Sequence, residues 1–132
     1  MKKIYYLPVC FLLTLIFSCS KPNNPSNTQE DPIVFTTDAN ATNTSLSSSF
    51  PVAVTLTSAM PSSSGINIAA TVIDQTNNAT IAQNAGINST TAINNIQLIN
   101  LPRQHWCTVT VKVTSVATPI NNATKTFNVA FK

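Results

Sequence analysis

From Cys107 to Thr114 apolar and polar residues alternate without a break. Cys107, Val109, Val111 and Val113 fall on one side, and Thr108, Thr110, Lys112 and Thr114 on the other. Successive side chains of a β-strand leave opposite faces of the sheet, so the run predicts a strand with one buried and one wet face. The same period recurs along the chain. Val52, Val54 and Leu56 alternate with Ala53, Thr55 and Thr57, Ile66, Ile68, Ala70 and Val72 follow, and Phe127, Val129 and Phe131 close the sequence. Ile33–Thr37 and Ala79–Gln83 are shorter β-rich runs, and residues 91–101 form another whose parity is mixed. Between them stand turn clusters at 60–65, 74–78 and 119–122 and a loop around Gly86. No segment carries a helical period, and Val, Ile, Thr and Phe outnumber Leu, Glu and Lys as strands require. About seven short antiparallel strands over 33–132 predict an all-β domain, two sheets face to face with alternate residues forming the core.

A domain of about 100 residues with this pattern resembles an immunoglobulin-like sandwich. At Leu101 the chain is similar to fibronectin type III domains, where a Leu and a Pro precede a strand of the form aromatic-x-Val-x-Val. Here the run is Leu101-Pro102-Arg103-Gln104-His105-Trp106-Cys107-Thr108-Val109-Thr110-Val111. Cys107 occupies the place of that family's corner tyrosine, and Trp106 stands one residue early, so the tyrosine-corner hydrogen bond is not available at that position. The resemblance concerns the fold and assigns no activity.

The amino terminus constrains location. Lys2 and Lys3 precede an apolar run from Ile4 to Phe17, and Leu15-Ile16-Phe17-Ser18-Cys19 closes it. These parts resemble a bacterial lipoprotein signal ending in a lipobox. The run is fourteen residues long, short of the roughly 18 or more that span a bilayer as a helix. The resemblance implies removal of residues 1–18 and a diacylglycerol on the Cys19 sulfur. Residues 19–32 then form a tether. Its SKPNNPSNTQEDP run after the cysteine has three prolines and no apolar period, the composition of an extended, disordered spacer. The chain as a whole looks like small flavobacterial-type (Bacteroidota) lipoproteins carrying one immunoglobulin or fibronectin III-like domain. Attachment to a membrane through Cys19, in the cell envelope and at the outer membrane, is the expectation that follows.

Charge narrows the partners. Beyond residue 18 the basic side chains are Lys21, Arg103, Lys112, Lys125 and Lys132, and the acidic ones are Glu30, Asp31, Asp38 and Asp74. They are scattered, with no basic stripe to follow a phosphate backbone, so no nucleic acid is expected. Cys10 leaves with the leader and Cys19 is blocked by lipid, so Cys107 has no partner for an internal disulfide and is expected as a buried small hydrophobe.

Catalysis would need His105, the one histidine, beside an acid and a nucleophile, and no nucleophile-elbow motif is present. No catalytic residue, no metal site and no cofactor are assigned. His105 and Cys107 are the one soft-ligand pair, too few for zinc. Asp38, Asn40, Asp74, Asn77 and Asn78 sit in turns, where Asp and Asn serve the backbone better than a calcium ion. The five N-x-S/T triplets follow from an Asn- and Thr-rich composition.

Trp106 is the candidate for recognition, with Arg103, Gln104 and His105 beside it. Parity from Cys107 puts it on the outer face, where an indole stacks on a sugar or anchors a protein contact. The competing placement has it plugging the end of the sandwich or covering a loop. The expected function is therefore a non-catalytic structural, adhesive or interaction module on a lipid anchor, contacting an envelope protein. The alternative is a carbohydrate-binding module centred on Trp106. Residues 123–132 are the expected open edge strand.

Overall fold

The computed structural model describes residues 29–132. Cys19, the leader and the tether up to residue 28 lie outside the described residues. The chain is all-β, with two sheets. β1 (Phe35–Thr37), β3 (Phe50–Leu56) and β7 (Ile93–Leu98) make a three-stranded sheet in the order β1-β3-β7. The larger sheet runs β2-β9-β8-β4-β5, from β2 (Thr42–Ser45), β9 (Asn122–Phe131), β8 (Trp106–Ser115), β4 (Ile66–Asp74) and β5 (Thr80–Ile81). A short β6 (Ile87–Ser89) also pairs with β4.

The alternating residues supply the core. Val52, Val54 and Leu56 of β3 and Leu98 of β7 are buried on one side. Ile66, Ile68 and Val72 of β4, Cys107, Val109, Val111 and Val113 of β8, and Phe127 and Val129 of β9 are buried on the other. Phe50 and Phe127 meet across the two sheets with ring centroids 6.5 Å apart. Since β8 pairs with β4 over nine residues and with β9 over nine more, its register fixes which residue of the larger sheet faces the core.

Three features differ from the sequence expectation. Among the described residues there are nine strands, not about seven, because β2 and β6 are short polar strands without apolar alternation. The pairing is not wholly antiparallel, since β2 runs parallel to β9, with Thr42 to Ser45 opposite Asn128 to Phe131. It is held by Asn43, whose amide donates to the Asn128 carbonyl at 3.0 Å and to that of Asn40 at 2.8 Å. Consequently the last strand is not an open edge throughout: β2 covers it from Asn128 onward.

Glu30, assigned to the tether by composition, is docked on the domain. Its carboxylate accepts from Ser115 Oγ and Asn121 Nδ2, each at 3.1 Å. Asn121 in turn accepts from the Ile33 N–H and donates to the Asp31 carbonyl. The chain thus meets the sandwich at the β8–β9 turn.

Candidate functional site

The end of the sandwich where β8 begins gathers the candidates, and strand parity sorts them. Gln104 has φ 61, a left-handed conformation uncommon for a residue that is neither Gly nor Asn. Its N–H donates to the Phe131 carbonyl at 2.6 Å. This turn delivers the chain into β8 so that His105 points to the core side, toward the last residue of β4, and Trp106 to the outer face.

His105 meets Asp74. Its Nδ1 lies 2.7 Å from Asp74 Oδ2, and the other carboxylate oxygen accepts the Thr76 N–H at 2.8 Å. Asp74 is buried, 4% exposed, at the inward-facing end of the series Ile66, Ile68, Val72. A carboxylate only accepts, so Nδ1 carries the proton. The His105 hydrogen bond, followed by that from the Thr76 backbone, holds the Asp74 carboxyl below the ordinary carboxylate value, against the opposing effect of burial. Cys107 is the direct cross-strand neighbour of Asp74. Burial, and then the Asp74 charge, push its thiol up, so it stays protonated and unreactive.

A buried acid orienting an imidazole is half of a hydrolytic triad. Among the described residues, however, no hydroxyl or thiol is hydrogen-bonded to the other ring nitrogen of His105, and no three His, Cys, Asp and Glu residues gather as a metal site. The pair braces the turn: Asp74 closes the 74–79 loop through Thr76 and through its own backbone, which bonds to Asn78 and Ala79. Its pH signature follows. A lowered folded value means that the carboxylate stabilises the fold fully above the ordinary value of 3.8 and loses that contribution as pH falls through the lower folded one. Urea midpoints across a pH series are expected to keep the Asp74 contribution down to that region and to drop below it. In Asp74→Asn the midpoint at neutral pH is lower and this acid component is gone.

Trp106 stands apart from that pair. It is 42% exposed, on the face shared by Thr108, Thr110 and Lys112. Its cross-strand neighbour on β9 is Ala130, and on the other side Gln75 donates its N–H to the Trp106 carbonyl. The polar residues next to the indole are already tied together. Gln75 Nε2 donates to Thr108 Oγ1 and to Asn128 Oδ1, both at 2.9 Å, and Thr108 Oγ1 lies 3.3 Å from the same oxygen. Arg103 is exposed and bridges to Phe131 at the sandwich end. The sequence neighbours Arg103, His105 and Trp106 therefore do not form one constellation. The outer-face set is Trp106 with Gln75, Thr108 and Asn128, residues brought together only by register, and the cross-strand geometry of β4, β8 and β9 was the missing signal.

The turn residues serve the backbone. Asp38 accepts the Ala53 N–H at 2.8 Å, Asn77 accepts that of Ala79, and Asn43 accepts that of Asn40. Comparison with protein-family models, curated proteins and solved structures returned no match to the chain.

Proposed function

We propose that this protein is a lipid-anchored cell-envelope protein of the outer membrane. Its immunoglobulin-like domain acts as a non-catalytic binding module, with the face around Trp106 as its contact surface. The strand order supports the immunoglobulin-like reading. β1-β3-β7 corresponds to the A-B-E half of such a sandwich, and β9-β8-β4 to G-F-C, with β5 beside C. The leader ending at Cys19 supports the anchor. The observation that carries the binding role is the exposed indole, set on a sheet face whose neighbouring side chains are already hydrogen-bonded to one another. A surface that has spent its ordering entropy in advance loses less on binding.

The contact is read first as one with another envelope protein, since exposed Trp is a frequent interface anchor. The Gln75, Thr108 and Asn128 set favours a second reading. An indole face flanked by uncharged amides and a hydroxyl suits a pyranose ring, which stacks through its C–H face and hydrogen-bonds at its rim. The test uses the detergent-extracted full-length protein on a glycan array and in crosslinking on intact envelopes. Trp106→Ala is expected to weaken the contact by at least about tenfold, as removal of a central aromatic anchor does. Loss of a glycan signal selects the second reading, and loss of a protein crosslink the first. Undiminished contacts in the variant defeat both.

A further inference from the structure

We propose that the free edge of β7, with the cleft beside it, is a receptor slot for one uncharged extended segment of a partner protein, bound as an added antiparallel β-strand. This site is independent of the Trp106 face. In β3–β7 the Leu56 N–H bonds to the Ala92 carbonyl, and hydrogen-bonded pairs alternate along an antiparallel ladder. Hence Ala92, Asn94, Ile96 and Leu98 turn their backbone groups to β3, whereas Ile93, Asn95, Gln97 and Ile99 turn theirs to the open side.

The ends of that open row are capped by side chains. Gln83 supplies Ile99 with both partners a neighbouring strand would give: its Oε1 accepts the Ile99 N–H at 2.9 Å and its Nε2 donates to the carbonyl at 2.8 Å. At the other end Thr91 Oγ1 donates to the Ile93 carbonyl at 3.1 Å. Between the caps, the N–H and C=O of Asn95 and Gln97 have no hydrogen-bond partner among the described residues. A cleft of about 230 Å³ opens beside them, lined by apolar residues such as Ile68, Ala70 and Ile96 and by the amides Gln83, Asn84, Asn95 and Gln97. Across it, Ala70 of β4 has outward backbone groups by the same parity, in the gap between β6 and β5. An edge with two wholly unmet residues, capped at Ile99 and at the Ile93 carbonyl and facing an uncharged cleft, has the form required for strand addition.

The chemistry of the slot selects the occupant. No lining residue carries a charge, so a charged side chain entering it would find no counter-charge and would be desolvated without compensation. Two open residues are far less contact than the roughly 800 Å² per partner of a stable interface. The occupant is therefore a short extended arm of another protein rather than a second copy of this globular chain. In a paired strand, residues directly opposite share a face. Asn95 and Gln97 present their side chains outward, so the residues of an antiparallel arm that hydrogen-bond to β7 also point outward. Its alternate residues, small and uncharged, enter the cleft while their N–H groups point away from β7.

The test probes the full-length protein with the uncharged peptide acetyl-Thr-Val-Thr-Val-Thr-amide and follows amide hydrogen exchange. Exchange at Asn95 and Gln97 is expected to slow on peptide addition. N-methylation of the threonines should weaken binding at least about tenfold, the effect of losing one or two ladder hydrogen bonds. N-methylation of the valines should leave it within about threefold, less than the effect of one such bond. Unchanged exchange at these amides with millimolar peptide overturns the proposal, as does equal binding of both methylated peptides. Protection of the two amides before any peptide is added would mean that the slot is filled by this chain or a second copy, and would overturn it equally.

Discussion

Replacing Gly65 with alanine is expected to destabilise the domain by about 3 kcal/mol or more, the sum of a left-handed backbone penalty and an overpacking cost. Gly65 has φ +78, and a Cβ there would lie 2.2 Å from the Ser89 carbonyl oxygen and 2.9 Å from its carbon. Backbone cannot swing aside as the tip of a long side chain does. The position joins three elements: the Gly65 N–H closes a turn on the Ser62 carbonyl, its own carbonyl accepts the Val116 N–H, and Ile66 begins the pairing of β4 with both β6 and β8. Moving Ser89 away would open β6, and moving Gly65 would open the end of β8. Against a total stability of roughly 5–15 kcal/mol for a domain of this kind, the loss is large. Urea denaturation followed by circular dichroism measures it directly. A midpoint within error of the wild type would mean that the β4–β6 junction is built differently.

The strands with unbroken alternation were legible in the sequence because burial alone decides their parity. β8 reads correctly from Cys107 to Val113, and counting one residue back from Cys107 places Trp106 outside, where it stands. β7 was not legible. Its inward series begins with a polar residue, Asn94, while the apolar Ile93 is 67% exposed. Asn94 is tolerated inside because its amide donates to the Thr91 carbonyl at 2.8 Å and its oxygen faces the Thr91 hydroxyl at 3.3 Å. Hydropathy cannot register that local satisfaction. Nor could it find β2, four residues of Thr, Asn, Thr and Ser held by backbone pairing and by the Asn43 side chain.

The site was legible only in part. For Trp106 the sequence offered an outward placement beside a competing one at the sandwich end, and its partners Gln75 and Asn128 lie far from it along the chain and meet it through the registers of β4 and β9. Asp74 read as a turn residue; it is the last residue of β4 and holds the following turn by accepting the Thr76 N–H. Its second role, holding His105, spans 31 residues and depends on the left-handed turn at Gln104.

The proposed anchor carries the largest expected effect on where the protein is found. One acyl chain holds a protein to a membrane only marginally, whereas two or more hold it stably, so a diacylglycerol on Cys19 accounts for retention by itself. Among the described residues no helix is long and apolar enough to cross a membrane. On the proposed anchor, Cys19→Ala is expected to lose the detergent-phase partitioning of the wild type. The measurement that bears most directly on the account is the mass of the N-terminal peptide of protein extracted from membranes. The expected peptide begins at Cys19 and carries a thioether-linked diacylglycerol. A peptide that begins at Met1, or one that contains Cys19 with a free thiol, would contradict the anchored-module reading.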